Sequence, residues 1–309
     1  MLILAWPILL AAAVDPSGRG AQSAAPRFGS EARMVVVSAT AVDGKGRPVR
    51  DLKAEDVQVL EQGRPQRIVH FSHGRATSAR LLILVDASGS MEGQKKEAGV
   101  RDAVDQILAS LDPEDQVALA GFDHKYWGVV AFTKDREAIR AGLTDLTPFG
   151  STALHDALDR AAHDIASHGE GRRAVIVLTD GVDTASSAAP DEVISRSRAL
   201  DVPIYTMSLV SPLDDPRSKS FLGRESRAPS LLGASVLARY AAFSGGQPFI
   251  VSSAEKLREA VAAILDELKH QYRLGYDPPE GPPGFRPIEV RTKRKGVRVR
   301  ARSGYVPPS

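Results

Sequence analysis

The sequence predicts an α/β protein: a doubly wound, mostly parallel six-stranded sheet inserted in a small β domain built from both chain ends. Three observations carry this expectation. From about Arg80, apolar strands alternate with stretches of 3.6-residue period. On either side, from Arg33 to Phe71 and again after Tyr272, short strands are broken by turns instead. The composition, 43% hydrophobic and 25% charged over 309 residues, suits one large domain with a smaller companion.

Residues 2–14, LILAWPILLAAAV, are apolar but too few to span a bilayer. Ala21-Gln22-Ser23 then suits signal peptidase, although no Lys or Arg precedes Arg19. Residues 1–30 are therefore expected to be a signal peptide and leader, making the protein periplasmic, extracellular or cell-surface. The absence of cysteine excludes disulfides, thiolate metal sites and a cysteine nucleophile. A net charge of +2 supplies no general field toward nucleic acid.

Residues 31–78 are expected to form an N-terminal β segment. MVVVSATAV, VQVL and RIVHF read as strands, with GKGRP and EQGRP as turns. Residues 79–268 form the α/β domain, with strands LLILVD, VALAGF, GVVAF, AVIVLTD, PIYTMSLV and QPFIV. Strands this apolar are buried on both faces, as in a parallel sheet covered by helices. In the last helical stretch Leu257, Val261, Ile264, Leu265 and Leu268 share a face, with Ser252 and Glu255 as a capping box. Residues 269–309 return to β structure. Three N-terminal strands alone would leave one face bare, so the two chain ends are expected to pack together. IEVRTK and VRVRAR read as a hairpin around Lys295-Gly296. Arg298, Arg300 and Arg302 then share a solvated face, extended by Arg291 and Lys293, on which anionic lipid or glycan could sit.

The chemistry is expected at strand ends. In a doubly wound sheet, ligands bind beyond the carboxyl ends of the strands, where strand order reverses. LLILVDASGSM runs an apolar strand into Asp86, with Ser88 and Ser90 behind it at alternate positions. VIVLTDGVDT ends in the same way at Asp180, and between them FGSTALHDAL opens a helix beside Thr152. Each segment alone is an ordinary turn or cap. Together they offer an oxygen-only donor set, which suits a hard octahedral cation such as magnesium.

DASGS, STALHDAL and LTDGVDT closely resemble the von Willebrand factor type A domain and its metal ion-dependent adhesion site, over roughly residues 79–268. The flanks resemble the von Willebrand factor A-related domain family described mainly from acidobacteria. The resemblance implies a Rossmann-like fold and a metal-dependent adhesion or scaffolding module that is not an enzyme. It implies that Ser88 and Ser90 bind Mg2+ directly, with Mn2+ or Ca2+ as alternatives. Thr152 would bind directly or through water, and Asp86 and Asp180 would hold waters and orient the serines. Mostly neutral ligands leave the metal positive and open, so the implied partner is a protein presenting an Asp or Glu carboxylate.

Other features argue less. The long segment 211–230 follows the fifth strand of the α/β domain and would leave the same sheet edge as the metal site. His155 and His163 are two turns apart on one helix and read as surface or packing residues. No phosphate-binding loop, H-E-x-x-H or G-x-S-x-G occurs. A metal-dependent hydrolase acting on a phosphate or ester is the alternative function, but it lacks a general base beyond the ligand aspartates.

Overall fold

The computed structural model describes residues 34–74, 78–168, 171–197, 200–210 and 229–307. The expected signal peptide and leader, and residues 211–228 of the long loop, lie outside the described residues.

Four strands open the described chain: β1 (Val35–Asp43), β2 (Val57–Glu61), β3 (Arg64–Gln66) and β4 (Ile68–His73). Sequence reading missed β3, which it took as turn. The turn itself is only Gln62-Gly63, with φ of 50° and 76°. Two successive positive φ angles match the twist of a tight hairpin, and glycine reaches its value without strain.

The α/β portion runs β5 (Ala79–Asp86), α1 (Gln94–Ser110), β6 (Gln116–Phe122), β7 (Tyr126–Thr133), α2 (Arg136–Thr144), α3 (Leu154–Ser167), β8 (Arg172–Thr179), α4 (Pro190–Ser197), β9 (Ile204–Leu209), α5 (Pro229–Ser244), β10 (Pro248–Val251) and α6 (Ala254–Lys269). Its six-stranded sheet has the order β10-β9-β8-β5-β6-β7. Every pairing is parallel except β6 with β7. Only residues 123–125 join that pair, too few for the crossover that a parallel partner needs.

Strand alternation divides the core. Leu81, Ile83, Ile176 and Leu178 face Val104 and Ile107 of α1, Ile139 of α2 and Val261 and Ile264 of α6. Leu82, Leu84, Val175 and Val177 point the other way, toward Leu158 of α3, Val193 of α4 and Leu237 of α5. The cap of α6 falls one residue later than expected. Ser253, in extended conformation, accepts from the Lys256 amide at 3.3 Å.

The chain ends with β11 (Tyr272–Tyr276), β12 (Arg286–Thr292), β13 (Val297–Ala301) and β14 (Gly304–Tyr305). These strands interleave with the first four in two sheets, β13-β1-β11-β4 and β14-β12-β2-β3. The expected hairpin of β12 on β13 is thereby corrected. Each strand instead pairs over five residues with an N-terminal strand, β12 with β2 and β13 with β1. Ile288 and Val290 of β12 then join Val35, Val37, Val57, Val59 and Leu274 in one core. Within it, buried Glu61 accepts from Tyr276 Oη at 2.6 Å, Arg286 at 3.1 Å and Tyr305 Oη at 3.2 Å.

The basic stripe of β13 is the second correction. Arg300 is ion-paired to Glu267 of α6 and donates to Gln247 Oε1 at 2.7 Å. Arg302 lies 3.6 Å from Asp201, which also accepts from Ser38 Oγ at 2.9 Å. Two of the three arginines therefore face α/β-portion carboxylates, and only Arg298 of the three is exposed. Gly245 lies in the same seam, where a Cβ would come within 2.9 Å of the Ala301 backbone. Residues 33–309 accordingly form one compact unit. Among the described residues, no helix is long and apolar enough to cross a membrane.

Candidate metal centre

Strand order reverses between β5 and β8. The chain leaves β5 toward β6 on one side and β8 toward β9 on the other, opening a crevice at their carboxyl ends. Asp86 is the last residue of β5, and Asp180 follows the last residue of β8.

Three loops meet in this crevice. The Gly89 amide donates to the Gly150 carbonyl at 3.0 Å, and the Phe149 amide to that of Ala87 at 2.8 Å. The Thr184 amide donates to the Thr152 carbonyl at 2.9 Å, and the Thr152 amide to Thr184 Oγ1 at the same distance. Loop 87–91, loop 149–153 and loop 180–185 are thus stitched by these three backbone–backbone bonds and the Thr184 hydroxyl, not by the candidate ligand side chains. A Cβ on Gly89 would lie 3.3 Å from the Gly150 carbonyl, which the close approach of the first two loops explains.

Asp86, Ser88, Thr152 and Asp180 are buried and Ser90 is exposed. Asp86 Oδ1 accepts from the Ser88 amide at 2.9 Å, a turn that carries the chain out of the strand and presents the next hydroxyls. Asp86 Oδ2 accepts from Thr179 Oγ1 at 2.6 Å, and Thr179 Oγ1 accepts from the Gly181 amide at 2.9 Å. Burial pushes the Asp86 carboxyl up to about 6, against the pull of the Ser88 and Thr179 hydrogen bonds and with a further push from Asp180. Both carboxylate oxygens are engaged by protein donors, so Asp86 acts on Ser88 from behind.

Ser88 Oγ and Ser90 Oγ lie 3.0 Å apart. Adjacent ligands of an octahedral magnesium, each at about 2.1 Å, are also about 3.0 Å from one another. The two hydroxyls are hydrogen-bonded to each other at this separation, which also matches two neighbouring positions of such an ion. Among the described residues no group of three or more His, Cys, Asp or Glu side chains could hold a metal. A cation here would rest on hydroxyls, carbonyls and water, beside no more carboxylates than Asp86 and Asp180.

Two residues that sequence reading missed shape the site. One is Thr179. The other is Lys96 of α1, whose ammonium donates to Asp180 Oδ2 at 2.9 Å and to the Ser90 carbonyl at 2.6 Å. Thr179 is signalled by a hydroxyl residue directly before the strand-end aspartate. Nothing in sequence separates Lys96 from a surface lysine. His155 is buried, its ring 5.8 Å from that of Tyr240 and 3.8 Å from Asp183, and burial holds its pKa below the usual range. His163 is exposed, with Nδ1 2.8 Å from the Asp159 carbonyl. Packing and surface roles suit both.

Residues 81–182 match the family model of the von Willebrand factor type A domain. The chain contains a von Willebrand factor type A domain. An uncharacterized protein of Synechocystis is 30% identical over 112 residues, covering 35% of this chain and 26% of its own length. A UPF0353 protein of a Mycobacterium species is 27% identical over 234 residues, covering 70% of this chain and 66% of its own. The chain thus spans about a quarter of one relative and just under two thirds of the other. Among solved structures, a von Willebrand factor type A protein from Catenulispora acidiphila superposes with a TM-score of 0.50 at 13% identity, over 88% of this chain and 73% of its own. The conserved hypothetical protein BatB from Bacteroides thetaiotaomicron gives 0.50 at 17% identity, over 62% and 98%. At these identities the type A domain's neighbours speak to the fold alone.

Proposed function

We propose that this chain is an exported, magnesium-dependent binding module, not an enzyme, that recognises a carboxylate on a protein partner. The observation that carries this reading is the Ser88–Ser90 hydroxyl pair at 3.0 Å, set at the switch point of a type A domain. Ser88, Ser90 and Thr152 would hold the metal, with Asp86 and Asp180 behind them. When bound, the ion supplies a positive centre with a position left for an anionic oxygen. Asp86 keeps the Ser88 turn closed, and Thr179 keeps Asp86 aligned. The loop stitching holds the hydroxyls ready, so little ordering remains to oppose binding.

Export rests on the apolar segment 2–14 and its small-residue cleavage pattern. The arrangement of both chain ends as one small β domain around the type A domain is part of the same proposal. It is supported by the ladders of β1 with β11 and β13, and of β2 with β12.

The experiment is capture from the native extracellular fraction by immobilised wild type and Ser88→Ala, each with magnesium and with chelator. A partner held by wild type should be lost with chelator and with Ser88→Ala alike, while both proteins stay folded by circular dichroism. Equal capture by the two would overturn the adhesion-site reading.

A further inference from the structure

Lys96 sits in the first turn of α1, where the helix dipole disfavours a cation. It is held there by two oxygens from different loops. Its ammonium donates to Asp180 Oδ2 at 2.9 Å, from the loop after β8, and to the Ser90 carbonyl at 2.6 Å, from the loop after β5. The Asp180 side chain is only 9% exposed, so this ion pair is poorly screened by water. The other carboxylate oxygen, Oδ1, accepts at 3.4 Å from the Val182 amide, its one long contact among the described residues. Lys96 itself is 37% exposed, and its four-carbon stem leaves the ammonium a route to solvent. The neighbouring Lys95 is exposed.

We infer that Lys96 is a tethered counter-cation that competes with the divalent ion for Asp180 and holds the metal affinity of this site low. The inference rests on the metal reading proposed above. A carboxylate oxygen that already accepts from an ammonium is a weaker acceptor for anything a metal brings, and two cations sharing one carboxylate repel each other. Metal loading is then coupled to release of Lys96 from Asp180. The site fills only when the free ion is plentiful, and the Lys96 side chain reports whether it has filled.

The test is calorimetric titration of Mg2+ and of Mn2+ into the full chain at fixed ionic strength. Wild type is compared with Lys96→Met, Lys95→Met and Ser88→Ala, and with Lys96→Met combined with Ser88→Ala. Melting in chelator checks that each variant is folded. Lys96→Met should bind about 10-fold tighter than wild type, the size of effect that groups behind a metal's direct ligands exert. Lys95→Met, which changes the charge equally, should stay near wild type. Ser88→Ala should weaken binding in either background. Unchanged or weaker binding by Lys96→Met, with Ser88→Ala still impaired, overturns the role of Lys96 and leaves the metal site standing. Equal tightening by Lys95→Met overturns it too, since a general field rather than the contact would be responsible. Tightening that Ser88→Ala does not reverse places the ion elsewhere and overturns it. Absence of binding to both wild type and Lys96→Met overturns the inference together with the metal reading.

Discussion

The Thr179 hydroxyl donates to Asp86 Oδ2 at 2.6 Å, joining the last residue of β8 to the last residue of β5. These strands flank the point where sheet order reverses, so one short hydrogen bond fixes the floor of the crevice from both sides. Asp86 is buried, so a lost donor is not made good by bulk solvent.

Thr179→Val keeps the shape and removes that donor. It should destabilise the fold by about 1–3 kcal/mol, the cost of leaving a buried acceptor short of a partner. Thr179→Ser should recover most of the loss. Urea unfolding of both variants checks this, and an unchanged midpoint for Thr179→Val would sink it.

Asp86 also sets a pH dependence. Its carboxyl rises from an ordinary 3.8 to about 6 in the folded protein, with burial as the main cause. A folded-state value above the unfolded one gives a contribution that is fully present below about pH 4 and lost as pH rises through 6. The loss should be on the order of 3 kcal/mol across that window in chelator. Asp86→Asn should flatten this part of the profile. The measurement is the difference between wild-type and Asp86→Asn unfolding free energies from pH 4 to pH 7, and a constant difference would refute the assignment.

Much of this site is legible in one dimension because strand ends leave a mark there. Apolar runs stop at Asp86 and Asp180, and the doubly wound order says which strand ends meet. Leu81 to Leu84 alternate between two cores, as period-2 reasoning requires. Lys96 was not legible as part of the site, because its role depends on where α1 lies against two loops, and Thr179 was legible as a hydroxyl before Asp180 but not as the donor to Asp86. The β12–β13 pairing was misread for a related reason. Alternation in VRVRAR identifies a strand and its faces, but nothing local names the strand beside it. Arg300 and Arg302 read as solvated because their carboxylate partners, Glu267 and Asp201, lie far away in sequence.

Magnesium that binds only the folded chain should raise its stability by mass action. At about a hundredfold excess over the dissociation constant the gain should be roughly 2–3 kcal/mol. Ser88→Ala should abolish the gain while lowering stability in chelator by about 1 kcal/mol, the loss of a buried hydroxyl's hydrogen bond. Asp180→Ala should shift the magnesium dependence by about 10–100-fold. Melting curves across a magnesium series check all three, and an identical series for wild type and Ser88→Ala would count against a metal site here.

Deleting residues 270–309 removes β11 and β13 from either side of β1, and β12 from β2. Val35, Val37, Val57 and Val59, now buried, would lose their cover. The truncated protein should bind a hydrophobic dye or aggregate, whereas residues 79–268 alone should stay soluble. A truncated protein that behaves like the full chain would show that the two ends are not one β domain.

The last prediction concerns the ion pair between Arg300 of β13 and Glu267 of α6. The Glu267 side chain is 2% exposed and that of Arg300 24%. Burial raises the Glu267 carboxyl above its usual range, and Arg300 is the principal group pulling it back. Arg300→Met keeps the side-chain length and removes the cation, leaving Glu267 as an uncompensated buried charge. Losing one partner of a buried pair costs about 3 kcal/mol. Without Arg300 the folded-state value for Glu267 rises further above 4.5, so the variant should be nearest wild type at low pH and lose stability as pH rises. Glu267→Gln carries no charge and should suppress both effects in the double variant, a coupling that a mutant cycle measures directly. Additive losses, or an Arg300→Met deficit that does not depend on pH, would show that the seam is held by packing around Gly245 and Ala301 instead.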